Sequence, residues 1–491
     1  MITFDRAFRS AHIHVMTRRF LIYALVVATA VLAVAGLIHL GGAWLSPQGV
    51  QSIATAGQSS GALAQMLDNS QHPLARLLLQ LIVIVLTARA LGTLAGRLGQ
   101  PPVIGEIAAG LLLGPSLLGW IAPGTSAFLF PGASMPILQL LSQIGVLLFM
   151  FVVGLELDPS HLRGRAHAAI AVSHFSIIIP FVLGVTLSLA LFTQYAPPHV
   201  PFYAFALFCG IAMSITAFPV LARILEERRL THTPLGTTAI TCAAVDDVTA
   251  WSILAVVVAI TTAGGAVATL LAIVTLSVVF MSLMIFVGRP ALQRVLHVDR
   301  MGDTLSKGRI AIVLAVLLSS ALATEIIGIH ALFGAFVAGA IMPLGGAFRA
   351  VLRDRIESIS SVFLLPLFFA YTGLRTQIGL LDDVASWAIC LGIIVVATTG
   401  KLGGTVLAAR WTGLPWRDSL ALGALMNTRG LMELIALNVG YDLGILSPEI
   451  FAMMVLMALV TTAMTGPLVS ISLGWGQSRT VAPAGPMAHS S

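Results

Sequence analysis

An all-α polytopic membrane protein is the fold class this sequence predicts, and three observations carry the prediction. Hydrophobic residues make up 58% of the 491-residue chain, and Asp, Glu, Lys and Arg together only 9%. Soluble domains carry roughly 25% charged residues, so a water-soluble fold this poor in charge would expose wide apolar patches and associate through them. The third observation is spacing. A bilayer core of about 30 Å takes roughly 20 apolar residues per helix, and on that ruler the chain divides into about 14 candidate spans with short gaps between them.

These spans begin near Phe20, Leu74, Pro102, Pro136, Ala166, Pro201, Leu235, Ala266, Arg309, Ile329, Ile356, Ala385, Leu420 and Ile450. The first run, residues 20–40, follows Arg18-Arg19 and is longer than the apolar core of a signal peptide. It reads as an uncleaved extra helix, and the Ser/Gly/Gln-rich stretch 46–69 as an external linker, which makes 1–72 one unit. Residues 73–474 form the transmembrane domain, and 475–491 a disordered cytoplasmic tail.

Charge asymmetry orients the set, because cytoplasmic loops retain Lys and Arg. With the N-terminus inside, Arg97, Arg163, Arg165, Arg228, Arg229, Arg294, Arg300, Arg349 to Arg355, Arg410 and Arg479 fall on the cytoplasmic side. Both termini are then cytoplasmic, the bacterial inner membrane is the expected location, and Arg375 is the main exception. The net charge of +6 is therefore a topology signal, not a nucleic-acid surface. Cys209, Cys242 and Cys390 sit inside apolar runs without metal-ligand spacing and read as small core residues.

Two segments echo two others. Val103-Ile-Gly-Glu-Ile-Ala-Ala-Gly-Leu-Leu-Leu-Gly-Pro115 resembles Leu332-Phe-Gly-Ala-Phe-Val-Ala-Gly-Ala-Ile-Met-Pro343, and Leu148-Phe-Met-Phe-Val-Val-Gly-Leu155 resembles Leu367-Phe-Phe-Ala-Tyr-Thr-Gly-Leu374. In the topology above the copies run in opposite directions, the pattern of inverted repeats, which place a binding site at mid-membrane between the halves. A third pair agrees. The span 201–225 carries Ser214-Ile-Thr-Ala-Phe-Pro219 at its middle, and 420–440 carries Met426-Asn-Thr-Arg-Gly430. Proline removes a backbone donor, and broken backbone at that depth survives only where it lines a protein cavity.

Asp246 and Asp247 lie near the centre of the run Thr241-Cys-Ala-Ala-Val-Asp-Asp-Val-Thr-Ala-Trp251. A mid-bilayer acid costs at least about 2.5 kcal/mol, so two in succession point to function. Neighbours on a helix project about 100° apart, so one acid faces a central cavity and the other an adjacent helix. Ionising both at once is costly, and the pair should release its protons in separate steps. Such a site can exchange a proton for a dehydrated monovalent cation, Na⁺ or K⁺, held by hard oxygen ligands. Lys401, also near mid-depth, needs an acid partner, and one of the two aspartates is the obvious one. Arg429 and Glu433 are spaced as an i,i+4 pair that stabilises the second break and biases the local field.

Glu106, Glu156, Glu325 and His330 lie nearer helix ends and are candidates for a gate or pH sensor, with a satisfied interfacial role the simpler reading. His174, alone on an apolar helix, reads as a packed core histidine. There is no zinc spacing, nucleophile elbow, phosphate-binding glycine loop or ATP motif, so no cofactor and no enzymatic reaction is expected. Transport is then driven by ion gradients or is passive.

At these residues the chain resembles the second family of monovalent cation/proton antiporters, above all its plant-type cation/proton exchangers and their bacterial relatives. The matching segments are Gln100 to Pro115, Met213-Ser-Ile-Thr-Ala-Phe-Pro-Val-Leu-Ala-Arg223, Ala243 to Trp251, Ile327 to Gly339, Pro366 to Thr376 and Met426-Asn-Thr-Arg-Gly-Leu-Met-Glu-Leu434. The resemblance implies a sodium/proton antiporter-type fold with two crossed discontinuous helices. It further implies a homodimer built from core and dimerisation helices, with elevator-like alternating access. It makes Asp247 the principal carboxylate for cation and proton, with Asp246 the second acid. Thr216 and the adjoining Ser214 join the cation site, and Lys401 is the salt-bridge partner of Asp246. The extra first helix, and the lack of a long cytoplasmic regulatory domain, depart from the family pattern. A gated cation channel and a cation-coupled solute symporter are the competing readings.

Overall fold

The computed structural model describes residues 72–156, 166–231, 233–264, 266–296, 306–343 and 346–474. The expected first helix, its linker, Arg163, Arg165, Arg300 and the C-terminal tail lie outside the described residues. Thirteen principal helices run in the order α1 (Pro73–Arg97), α2 (Pro102–Leu113), α3 (Met135–Glu156), α4 (Ala166–Tyr195), α5a (Phe202–Ser214) with α5b (Phe218–Glu227), α6 (Pro234–Thr262), α7 (Val267–Leu283), α8 (Lys307–Ile327), α9 (Ala331–Ala340), α10 (Leu365–Arg375), α11 (Val384–Trp411), α12a (Trp416–Met426) with α12b (Leu431–Asp442), and α13 (Pro448–Leu473). Eleven helical segments are long and apolar enough to cross a membrane, and the α12 pair, bent by 41°, makes a twelfth. The short apolar α9 is counted separately, so the expected fourteen spans are not reached among the described residues. The chain is an integral membrane protein.

Local signals set the helix ends. Proline stands in the first turn of α1, α2, α5b, α6, α10 and α13, where the missing N–H has no partner to lose. Thr233, Ser306, Asp383 and Ser447 cap α6, α8, α11 and α13 with their side-chain oxygens. The hydroxyl and N–H of Ser386 hold the Asp383 carboxyl below its ordinary range.

The expected repeats are visible as packing. Helices α1–α6 and α8–α13 form two six-helix units joined by α7, and one connecting span makes the second unit begin from the opposite face. Each α-hairpin packs on the other unit's third helix: α2 on α10, and α9 on α3. A Cβ at Gly110 would lie 2.1 Å from the carbonyl oxygen of Ala370, and one at Gly339 2.1 Å from that of Phe151. Gly373 meets the Ile107 carbonyl at 2.6 Å, and Gly154 meets that of Phe336 at 2.2 Å. Gly110 and Gly339, Gly154 and Gly373, Phe151 and Ala370, and Ile107 and Phe336 are equivalent positions of the two sequence echoes. Their glycines let backbones touch, the source of helix association where lipid offers no hydrophobic drive.

Packing also sorts the helices into two groups. α4, α5, α6, α11, α12 and α13 pack on one another, while α1, α2, α3, α8, α9 and α10 form a second bundle, with α7 beside α8. Between the groups, Arg375 of α10 meets Asp442 of α12b at 2.5 Å and Asn438 at 3.0 Å, and lies over the Tyr441 ring. Gln139 of α3 donates to the same Asp442 at 3.2 Å. The one arginine that breaks the charge asymmetry is thus neutralised by a tertiary partner.

Gly110→Ala and Gly339→Ala are expected to destabilise the protein by about 1–3 kcal/mol each, because backbone must move to admit the methyl. Gly403→Ala, where nothing lies within 4 Å of the new Cβ, is the control. Equal melting temperatures for all three in detergent would refute the packing argument.

Candidate functional site

Two helices stop and restart in mid-bundle, and their breaks cross. The first break is Ile215–Thr216–Ala217; the second runs from Asn427 to Gly430. The Thr216 hydroxyl donates to the Met426 carbonyl at 3.0 Å, and the Ala217 N–H donates to the Thr428 carbonyl at 2.9 Å. Each interruption therefore satisfies part of the other's backbone. Pro219 sits in the first turn of α5b, so it permits the restart of the helix without forfeiting a bond.

Charges complete the crossing. An α-helix ends with carbonyls that lack partners and carry partial negative charge. At the end of α5a, Arg429 donates to the carbonyls of Ala212 and Met213, both at 2.6 Å, and Lys401 donates to that of Ser214. The free N–H groups at the break and the start of α5b face acids instead. Thr216 donates its N–H to Asp246 Oδ2 at 3.0 Å, and the Phe218 N–H at the start of α5b faces Asp247. In the second break the Arg429 N–H donates to Thr462 of α13 at 3.0 Å, and the Thr462 hydroxyl returns to the Arg429 carbonyl at 2.8 Å.

The two aspartates are not equivalent. Asp246 is fully buried, and each of its oxygens has a polar neighbour: Lys401 Nζ lies 3.1 Å from Oδ2, which also takes the Thr216 N–H, and the Ser176 hydroxyl of α4, shared with the Ser173 carbonyl at 2.8 Å, lies 3.0 Å from Oδ1. Gly400 and Gly404 bring α11 against Pro180 and Phe175 of α4, which places Lys401 beside the same acid. Asp247 is buried too, yet its Oδ1 has no hydrogen-bond partner. Arg429 stands 3.3 Å from Glu433, both fully buried, as the i,i+4 spacing predicts. The cluster thus holds three carboxylates and two cations, all at 4% exposure or less. With every group ionised, the cluster carries one net negative charge.

Of the residues expected from sequence, Asp246, Asp247, Ser214, Thr216, Lys401, Arg429 and Glu433 converge here. Ser214 enters through its backbone, because its hydroxyl donates back to Gly210 at 2.6 Å. Glu106, Glu156, Glu325 and His330 lie elsewhere. Glu106 is buried in α2 against Gly92 of α1, and Glu156 stands 3.9 Å from Arg353. Glu325 accepts the Ala331 N–H at 2.7 Å and His330 caps the same helix, α9, so both have local structural work. His174 is not a core residue: it is exposed on α4, with Nδ1 2.7 Å from the Ile170 carbonyl. Sequence reasoning missed Ser176, Thr462 and Asn427. A hydroxyl in an apolar helix ordinarily bonds its own preceding turn, so nothing in the chain singles out Ser176 or Thr462.

A charged crossing of two broken helices, within inverted six-helix units, defines a secondary membrane transporter. The family described as the transmembrane sodium/hydrogen exchangers matches residues 81–475, and the chain belongs to it. The Na(+)/H(+) antiporter NhaS4 of Synechocystis sp. is 47% identical over 397 residues, covering 80% of this chain and 96% of the relative. Cation/H(+) antiporter 17 of Arabidopsis thaliana is 42% identical over 84% of this chain, and K(+)/H(+) antiporter 1 of Saccharomyces cerevisiae 33% identical over 82%. The chain spans 50% and 47% of the length of those two. The solved sodium proton antiporter MjNhaP1 of Methanocaldococcus jannaschii shares the fold, with a TM-score of 0.54 at 18% identity over 80% of this chain and 96% of that one.

Lys401→Met is expected to destabilise the protein by about 3–5 kcal/mol, since it strands a buried carboxylate. Adding Asp246→Asn should recover most of that loss. A double variant no more stable than the single one, by thermal unfolding in detergent, would show that the ion pair is not the reason.

Proposed function

We propose that the chain exchanges Na⁺ or K⁺ for H⁺ across a bacterial inner membrane, with Asp247 as the shared carboxylate. The observation that carries the reading is the contrast between the aspartates. Asp246 is paired with Lys401, whereas Asp247 has no cation against it and keeps a free oxygen beside a half-helix N-terminus, in a cluster with one uncompensated negative charge. A proton and an alkali cation satisfy that charge equally, and both cannot do so at once, which is the condition for obligatory exchange. The named relatives favour antiport over the channel and symporter readings.

Alternating access follows from the two helix groups: the group that holds the crossing slides past the other bundle, in a homodimer with both termini cytoplasmic. Only a core whose charge is satisfied crosses the apolar barrier, since an unpaired buried charge is strongly disfavoured. While Lys401 and Asp246 stay paired, one proton moves per cation. A second proton, and with it net charge movement, requires that pair to open in each cycle. Glu106, Glu156, Glu325 and His330, nearer the helix ends, are then the candidate gate or pH-responsive groups.

In proteoliposomes, addition of Na⁺ or K⁺ is expected to drive proton flux. Asp247→Asn should abolish the flux while leaving the protein folded. Flux unchanged in that variant would remove the assignment. Flux that slows when charge compensation is withheld would show that the exchange moves net charge.

A further inference from the structure

We propose that the side-chain amide oxygen of Asn427 is a ligand of the transported cation, beside Asp247, and helps to set which alkali cation the chain prefers. The inference rests on the exchange reading above and gives a role to a residue that the sequence marks only as part of the second break.

Asn427 is fully buried, and neither its Oδ1 nor its Nδ2 has a hydrogen-bond partner. An asparagine amide brings two donors and an acceptor, and burying it unpaired in an apolar interior is strongly disfavoured. The other buried asparagine on this broken helix shows the ordinary outcome. Asn438 donates to Thr372 at 2.9 Å and to the Leu434 carbonyl at 2.8 Å, and its oxygen accepts from Arg375 at 3.0 Å.

Position supplies the second argument. Asn427 is the residue between the two carbonyls that pair the breaks: Met426 accepts from Thr216 and Thr428 from Ala217. It therefore lies against the Thr216–Ala217 backbone. The next residue of that backbone, Phe218, turns its N–H toward Asp247. The unpartnered amide and the carboxylate with the unpartnered oxygen thus belong to one crossing.

A dehydrated alkali cation needs several oxygens, and their number and field decide selectivity. Asp247 alone supplies too few. A neutral amide oxygen adds a ligand without adding charge, so the cluster stays balanced with one monovalent cation bound. Another acid at this position would leave it negative.

The test is cation-dependent proton flux in proteoliposomes, together with the rise in melting temperature that Na⁺ or K⁺ produces in detergent. Asn427→Ala is expected to raise the apparent KM for the cation about five- to tenfold, with kcat changed less, and to lose most of the cation-induced melting shift. Asn427→Asp, which keeps an oxygen there, should retain a cation-induced shift but alter the Na⁺ to K⁺ preference. The melting shift is read against each variant's own baseline, so a less stable Asn427→Ala remains informative. Should that variant not fold, Asn427→Asp with an unchanged Na⁺ to K⁺ preference overturns the inference. A folded Asn427→Ala with wild-type KM and a wild-type melting shift overturns it too. If the wild-type protein shows neither cation-driven flux nor cation stabilisation, it is the exchange reading that fails.

Discussion

The structure depends on one constraint: two helices are cut in the middle of an apolar bundle, and every backbone group freed by the cuts must find a partner away from water. Part of the solution is reciprocal, since each break bonds the other. The remainder is ionic. Arg429 and Lys401 take the carbonyl end of α5a, while Asp246 and Asp247 take N–H groups at and beyond the first break. Removing Arg429, Lys401 or Asp246 would leave both a buried charge and a buried backbone dipole unpaired, and both penalties are large where no water reaches.

That same constraint makes the site reactive. Four of the five charges are committed to one another or to backbone: Asp246 to Lys401, Ser176 and Thr216, and Arg429 to Glu433 and two carbonyls. Asp247 is the exception: unlike Asp246 and Glu433 it has no cation against it, and its Oδ1 has no hydrogen-bond partner. A lone uncompensated carboxylate in such surroundings is strongly disfavoured, and under the proposed exchange a proton and a cation are its alternative partners. The close glycine contacts between equivalent helices of the two units serve a separate purpose. They make the second bundle a rigid wall against which the group carrying the crossing is set, bridged at one end by Arg375, Asp442 and Gln139.

Much of this was legible from the chain. Among the described residues the apolar runs appear as helices, the two echoed segments occupy equivalent packing positions, and both breaks fall where Pro219 and Asn-Thr-Arg-Gly interrupt the helical pattern. Mid-membrane charges are so unfavourable that Asp246, Asp247, Lys401, Arg429 and Glu433 announce themselves. Lys401 also had to pair with an acid. Polar groups of low cost are illegible by comparison. Ser176 and Thr462 look like any helix hydroxyl, Ser214 contributes a carbonyl that its side chain does not advertise, and His174 faces outward although its neighbours in sequence are apolar.

Composition and hydrophobic spacing by themselves determined a polytopic helical membrane protein, an inverted repeat with two interrupted helices, and a buried pair of acids. They do so because lipid tolerates few charges and no unpaired backbone, so each exception is conspicuous in the chain. Only the tertiary structure decided which aspartate Lys401 neutralises, which one keeps a free oxygen, and which neutral groups surround them. Those assignments depend on how α4, α11 and the two breaks meet α6, over separations of 30 to 217 residues that no local pattern encodes.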